Sequence, residues 1–168
     1  MLALMTTVAA TTLAVVYSFP MSEFAAGFPL AVVSEAHAVA AAETSRPDLR
    51  RVDAETRRTL NSRPGDAAAW CRLAWVAAEE GRRADMLDAL DRSYTVAPYG
   101  PDVTAWRLRF AYGRWTELTP ELRQHASEEL AVTVRTRTDL VNAAEADISD
   151  PAGRLAFVMG RRNATPRS

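Results

Sequence analysis

The residues able to perform acid–base, nucleophilic or metal chemistry are few and widely separated in this 168-residue chain. Its one cysteine, Cys71, excludes an intramolecular disulfide and a multi-cysteine metal site. The two histidines, His37 and His125, lie far apart, and the seven glycines form no phosphate-binding Gly-x-Gly or Gly-Lys-Ser/Thr element. We therefore expect no catalytic residue, cofactor, metal or small-molecule substrate, and we expect that the protein is not an enzyme.

The acidic residues also lack the arrangement of a catalytic pair. Glu79–Glu80 and Glu128–Glu129 are consecutive on predicted helices, so their side chains diverge and we expect them on solvated faces. Every one of the 20 basic residues is an arginine, and with 21 acidic residues the net charge is −1. This near-neutrality argues against a nucleic-acid partner, which would favour a basic excess.

The first 22 residues contain no charged side chain. A helix of ~20 residues spans ~30 Å, which is about one hydrocarbon core, so residues 1–22 are predicted to be a transmembrane anchor in the lipid bilayer. Two alternatives remain open. One is a cleaved secretory signal, because small-x-small patterns occur at residues 36–40, although a basic n-region is missing. The other is a buried helix of a soluble core.

Residues 23–46 are predicted to connect this segment to the charged part of the chain. Abundant alanine with all-arginine basicity is common in proteins from GC-rich bacterial genomes, and we expect a single-pass protein of the bacterial inner membrane with a periplasmic soluble domain. The arginine cluster at residues 46–58 does not fix the orientation, because it begins beyond the ~15–20 residues over which the positive-inside rule acts.

From residue 47 onward the apolar pattern has the helical period, which predicts an all-α domain over residues 47–160 and a disordered tail over 161–168. Asp66, Thr119 and Asp150 are predicted N-caps. The predicted helices are residues 48–61, 67–80, 84–96, 103–115, 120 to about 146, and 151–159.

A repeat is indicated by Pro64 and Pro98, which are 34 residues apart and each separate two predicted helices. The unit between them resembles a tetratricopeptide repeat at Trp70, Leu73, Ala74, Gly81, Leu90 and Pro98, and departs from it at Ala77, Met86 and Ser93. The next unit is degenerate, because Trp106 lies eight residues after Pro98 whereas Trp70 lies six after Pro64. The resemblance implies a small antiparallel helical repeat domain that binds a protein partner.

The chain also resembles a family of short membrane-anchored alphaproteobacterial proteins. The likeness rests on the Tyr-Ser-Phe-Pro end of the anchor, the repeat-like unit, and the segment 93–108. The family implies no particular reaction, but it suggests an association with cell-surface polysaccharide machinery.

Four residues are predicted to contact the partner: Trp75, Glu79, Arg107 and Arg114. In a repeat unit, Ala68, Cys71, Trp75, Ala78 and Glu79 would face the concave groove, where an aromatic side chain is a typical anchor; alternatively, Trp75 packs under the helix at 48–61. The arginines 107, 109 and 114 are suited to an anionic peptide terminus or a sugar acid. Alternatively, they cover Trp106 and Trp115 and pair with nearby acidic residues.

The sequence therefore predicts a non-enzymatic, membrane-anchored helical-repeat scaffold that binds a partner protein in the cell envelope. The alternative is a structural subunit of an envelope polysaccharide or export complex, in which residues 1–22 make the main contacts.

Overall fold

Short polar side chains determine where several helices of the domain begin. In a computed structural model that describes residues 48–165, Asp48, Asp66, Thr119 and Asp150 each accept a hydrogen bond from an amide in the first turn of the next helix. Such a bond satisfies a backbone donor that has no partner within the helix. The predicted caps at Asp66, Thr119 and Asp150 are confirmed.

The described residues form seven α-helices and no strand, which confirms the all-α prediction for this part of the chain. The helices are α1 Leu49–Ser62, α2 Ala67–Glu79, α3 Arg83–Val96, α4 Pro101–Gly113, α5 Pro120–Thr136, α6 Thr138–Glu145 and α7 Pro151–Ala164, with a short 3-10 turn at Trp115–Glu117.

The first four helices are arranged like a helical repeat. Helices α2 and α3 form an antiparallel hairpin, α1 packs on α2, and α4 packs beside α2. Gly81 lies in the hairpin turn with a φ of +70°, which a side chain would strain. Both bounds of α4 fall 34 residues after those of α2, so the helix positions keep the repeat period although the tryptophans do not.

The remaining helices close the far side of α4. Helix α5 packs on α3 and α4, α6 packs on α4 and α5, and α7 packs on the same two helices. The buried side chains of all these helices form one core, whose larger members include Leu73, Met86, Leu90, Tyr94, Leu108, Tyr112, Leu130 and Phe157.

Two predicted boundaries differ from the structure. The helix expected from 120 to about 146 is broken at Arg137, where φ is −146° and ψ is 69°, and α6 then turns to pack on α4. The last helix continues past residue 160 to Ala164 and ends with Arg161 and Arg162 in its final turn, where cations interact favourably with the helix dipole.

The predicted anchor at 1–22 and the connector at 23–46 lie outside the described residues. Within residues 48–165, none of the helices is both long and apolar enough to cross a lipid bilayer.

Candidate functional site

An open groove of about 390 Å³ lies between α2 and α4. Its walls are mostly apolar, and they come from Ala68, Cys71, Arg72 and Trp75 of α2 and from Asp102, Val103 and Trp106 of α4. Three members of the predicted groove stripe, at positions 68, 71 and 75, do line it. Its volume is near the lower end of the range for ligand pockets, ~300–1,000 Å³, so it is the size for one or two side chains of a partner.

The aromatic wall of the groove belongs to both helices. Trp75 and Trp106 are each partly buried against the core, and the Trp106 ring stacks on Phe110 with centroids 4.5 Å apart. Because both tryptophans are held by packing on one side and face the groove on the other, a partner side chain would meet two pre-ordered rings. Little conformational entropy would be lost at these two residues on binding.

Two further predicted residues lie one turn beyond this wall. Glu79 follows Trp75 by one turn of α2, and its Oε1 is 3.5 Å from Nη2 of Arg114. The Arg114 guanidinium also lies 4.7 Å from the centroid of the Phe110 ring. The structure therefore brings Trp75, Glu79 and Arg114 to one side of the domain; whether they contact a partner stays a prediction.

Arg107 is not on this surface, and its prediction as a partner-binding residue is wrong. Its side chain is 0% exposed, and its Nε and Nη2 donate to Oε1 of Glu129, which is 1% exposed. Its Nη1 also donates to the carbonyls of Ser93 and Ala97, at 3.0 and 2.8 Å. A guanidinium whose donors are directed to partners inside the fold cannot hold an external anion.

Glu129 likewise contradicts the expectation of a solvated face. One oxygen, Oε1, accepts from Arg107 and from the Thr104 hydroxyl at 2.7 Å. The other oxygen, Oε2, and the hydroxyl of Tyr94 are both buried without a hydrogen bond of normal geometry. The Arg107 guanidinium stacks 4.3 Å from the Tyr94 ring centroid, so the cluster joins α3, α4 and α5.

Burial and charge oppose each other at this cluster. Burial raises the pKa of Glu129 above its ordinary 4.5, whereas Arg107, and then the hydroxyls of Thr104 and Tyr94, act to lower it. Burial is also the main reason that the pKa of Tyr94 lies well above 10. The cluster is a structural ion pair that joins three helices, and the buried phenol in it stays neutral.

Cys71 connects this cluster to the groove. It lines the groove floor but is only 5% exposed, and burial raises the pKa of its thiol to about 11, against a weaker lowering by Ser93 and Arg107. At neutral pH the thiol is therefore protonated and poorly nucleophilic. His125 is exposed and stacks on Tyr94, with ring centroids 5.4 Å apart.

The other predicted arginine contacts are with acids and aromatic rings, but on different partners from those expected. Arg109 pairs with Asp147 at 3.2 Å, and the ring nearest Arg114 is Phe110 rather than a tryptophan. The residue that lies over Trp115 is Arg123, at 5.7 Å. Within residues 48–165, no three His, Cys, Asp or Glu side chains are grouped so that they could hold a metal ion.

Sequence reasoning missed the α4 side of the groove. Asp102, Val103 and Trp106 line it, and the available signal was the period itself: Ala68 plus 34 residues is Asp102, and Arg72 plus 34 is Trp106. The offset from Pro98 to Trp106 concealed this because the tryptophan of α4 is aligned with Arg72 and not with Trp70.

No protein-family model matches the sequence, and no curated protein or solved structure is significantly similar to the chain.

Proposed function

We propose that this protein is a non-enzymatic helical-repeat scaffold, of the tetratricopeptide type, that binds a segment of a partner protein in the groove between α2 and α4. The observation that carries the proposal is the pair Trp75 and Trp106, which face one open, mostly apolar groove from two helices offset by the repeat period. Tryptophan is enriched among the residues that dominate protein–protein binding energy.

The charges at the groove suggest what kind of segment binds. Asp102 and Arg72 lie at one end, and the Glu79–Arg114 pair lies beyond the other. A segment with one large apolar side chain, flanked by polar or charged residues of both signs, matches this pattern. The apolar side chain would enter between the two tryptophans, and the flanking residues would contact the charged ends, which set orientation more than affinity.

In the full proposal, residues 1–22 anchor the domain in the bacterial inner membrane, so that the groove faces a partner in the envelope. The support is the absence of charge in these residues and their length.

Site-specific photocrosslinking in cells would test the groove. A benzophenone amino acid at Ala68, exposed beside the groove, should give a discrete crosslinked species, whereas the same group at Gln124, exposed on α5, should not. Trp75→Ala should abolish the Ala68 product. Equal products from both positions, or a product that survives Trp75→Ala in a protein with an unchanged melting temperature, would refute groove binding.

Replacing residues 1–22 with an unrelated anchor separates the scaffold from a complex subunit held by its membrane helix. The scaffold should keep the Ala68 crosslink after the exchange, and the subunit should lose it.

A further inference from the structure

Helix α7 is apolar on two faces. Its buried face packs Gly153 and Phe157 against the domain, and the Phe157 ring meets Tyr112 edge-on at 4.9 Å. On its outer face, Leu155 is 63% exposed, Val158 46% and Met159 56%. A helix that is apolar on all sides is normally covered on all sides, so a partner for the outer face is expected.

These three residues form one continuous patch. They occur at positions i, i+3 and i+4, which places them side by side over a single turn, on the side of α7 away from Phe157. They account for three of the five large hydrophobic residues that are exposed within residues 48–165. We call Leu155, Val158 and Met159 the α7 patch.

The charges around the α7 patch are positive. Arg154 and Arg162 are exposed near its two ends, and helix α7 itself contains no acidic residue. Arg161 is neutralised by an ion pair with Glu145, and the N-cap Asp150 directs its carboxylate to Thr116 and to the first amides of α7. The patch is thus an apolar strip between two positive charges.

This charge pattern disfavours a second copy of the chain as the occupant. Two copies packed through the α7 patch would bring the arginines of one copy close to those of the other. The area is also small, because three partly exposed side chains fall far short of the ~800 Å² that each partner buries in a stable protein–protein interface.

An anionic lipid surface fits both properties. An amphipathic helix that lies on a membrane inserts a few apolar side chains at the level of the headgroups, while its arginines contact lipid phosphates. We infer that α7 docks the domain onto an anionic membrane surface, with Leu155, Val158 and Met159 inserted and with Arg154 and Arg162 at the phosphates. This contact uses no residue of the α2–α4 groove, so it stands independently of the proposed function.

The test uses the full-length protein with a fluorescent NBD label at Met159→Cys in a Cys71→Ala background. The protein is reconstituted into vesicles of phosphatidylcholine alone, or of phosphatidylcholine with one third phosphatidylglycerol. Any contact made by residues 1–22 is then present in both samples. Docking of α7 should give a roughly twofold or larger rise in NBD emission in the anionic vesicles over the neutral ones. Lipids with a quencher on the acyl chain should reduce that emission.

Three controls define the result. A label at Gln124→Cys on α5 should show no difference between the two lipids, and both Arg162→Glu and Leu155→Ser should remove most of the rise at Met159→Cys. These two residues are exposed, so neither substitution should change the melting temperature. Equal emission in both lipids would overturn the inference. So would a rise that appears without lipid and grows with protein concentration, which would identify a second copy as the occupant.

Discussion

Removing Arg107 should destabilise the domain strongly, in a way that depends on pH. Arg107→Met keeps most of the volume of the side chain but leaves the Glu129 carboxylate in the core without its countercharge. Breaking a buried ion pair by removing one partner costs about 3–5 kcal/mol. The carbonyls of Ala97 and Pro98 also lose their donor, so we expect the upper part of that range at pH 7.

The pH dependence follows from the position of Glu129. Burial already raises the pKa of Glu129 above 4.5, and Arg107 is the largest influence that lowers it, so the pKa must rise further in the variant. The folded state then binds a proton more tightly than the unfolded chain does. The free energy of unfolding of the variant, relative to wild type, therefore rises as the pH falls from neutral toward 4.5, by up to about 1.4 kcal/mol per pH unit.

Urea unfolding followed by tryptophan fluorescence measures this effect, because all four tryptophans lie in the described domain. The variant and the wild type are compared at pH 7 and pH 5.5, so that other carboxylates cancel. The double variant Arg107→Met/Glu129→Leu is the control: it should be more stable than Arg107→Met alone, and its difference from wild type should not depend on pH. A loss below about 1 kcal/mol, or a loss that is equal at both pH values, would refute the account of the buried pair.

Three further predictions concern α7, the groove floor and a helix cap. Gly153→Ala would place a Cβ 1.7 Å from the carbonyl oxygen of Tyr112, so it should lower the free energy of unfolding by about 3 kcal/mol or more, whereas Gly113→Ala, with no atom within 4 Å, should change it by less than about 1 kcal/mol in urea unfolding. The thiol of Cys71, with its pKa raised from 9.0 to about 11, should react with iodoacetamide at pH 8 about a hundredfold more slowly in the folded protein than in urea, and equal rates would contradict its burial. Asp150→Ala removes the cap of α7 and should lower the thermal stability by about 1–2 kcal/mol, which calorimetry would detect; an unchanged melting temperature would show that the cap is dispensable.

Helix positions were predictable where the signal is local. Asp66 and Thr119 begin helices because a side-chain oxygen and its amide partner lie within one turn, so the interaction is contained in a few residues of sequence. The break at Arg137 has no such signal, since neither glycine nor proline marks it. It forms where α6 turns to pack on α4, and that packing depends on residues distant in the sequence.

The buried ion pair was missed although its pattern is visible in the helix periodicity. Glu129 lies on the stripe formed by Leu122, Ala126, Leu130 and Thr133, and Arg107 occupies a similar core position on α4. A single charge on an apolar stripe is most often a surface residue at the edge of the stripe. Two opposite charges, each on the core stripe of a neighbouring helix, can instead satisfy each other, but the sequence does not state that α4 and α5 are neighbours.

The groove can also be explained through this pair. Arg107 donates to the carbonyls at the end of α3, while Glu129 holds Arg107 from α5, so the cluster fixes the turn that leads into α4. The first turn of α4 carries Asp102 and Val103, which form one wall of the groove. A well-packed apolar pair could stabilise the helices as much, since a buried ion pair contributes little net stability. It would leave the carbonyls of Ala97 and Pro98 without donors, and so it would not fix the turn in the same place. We therefore assign the pair the role of positioning α4 beside α2, which sets the distance between the two tryptophan-bearing walls of the groove.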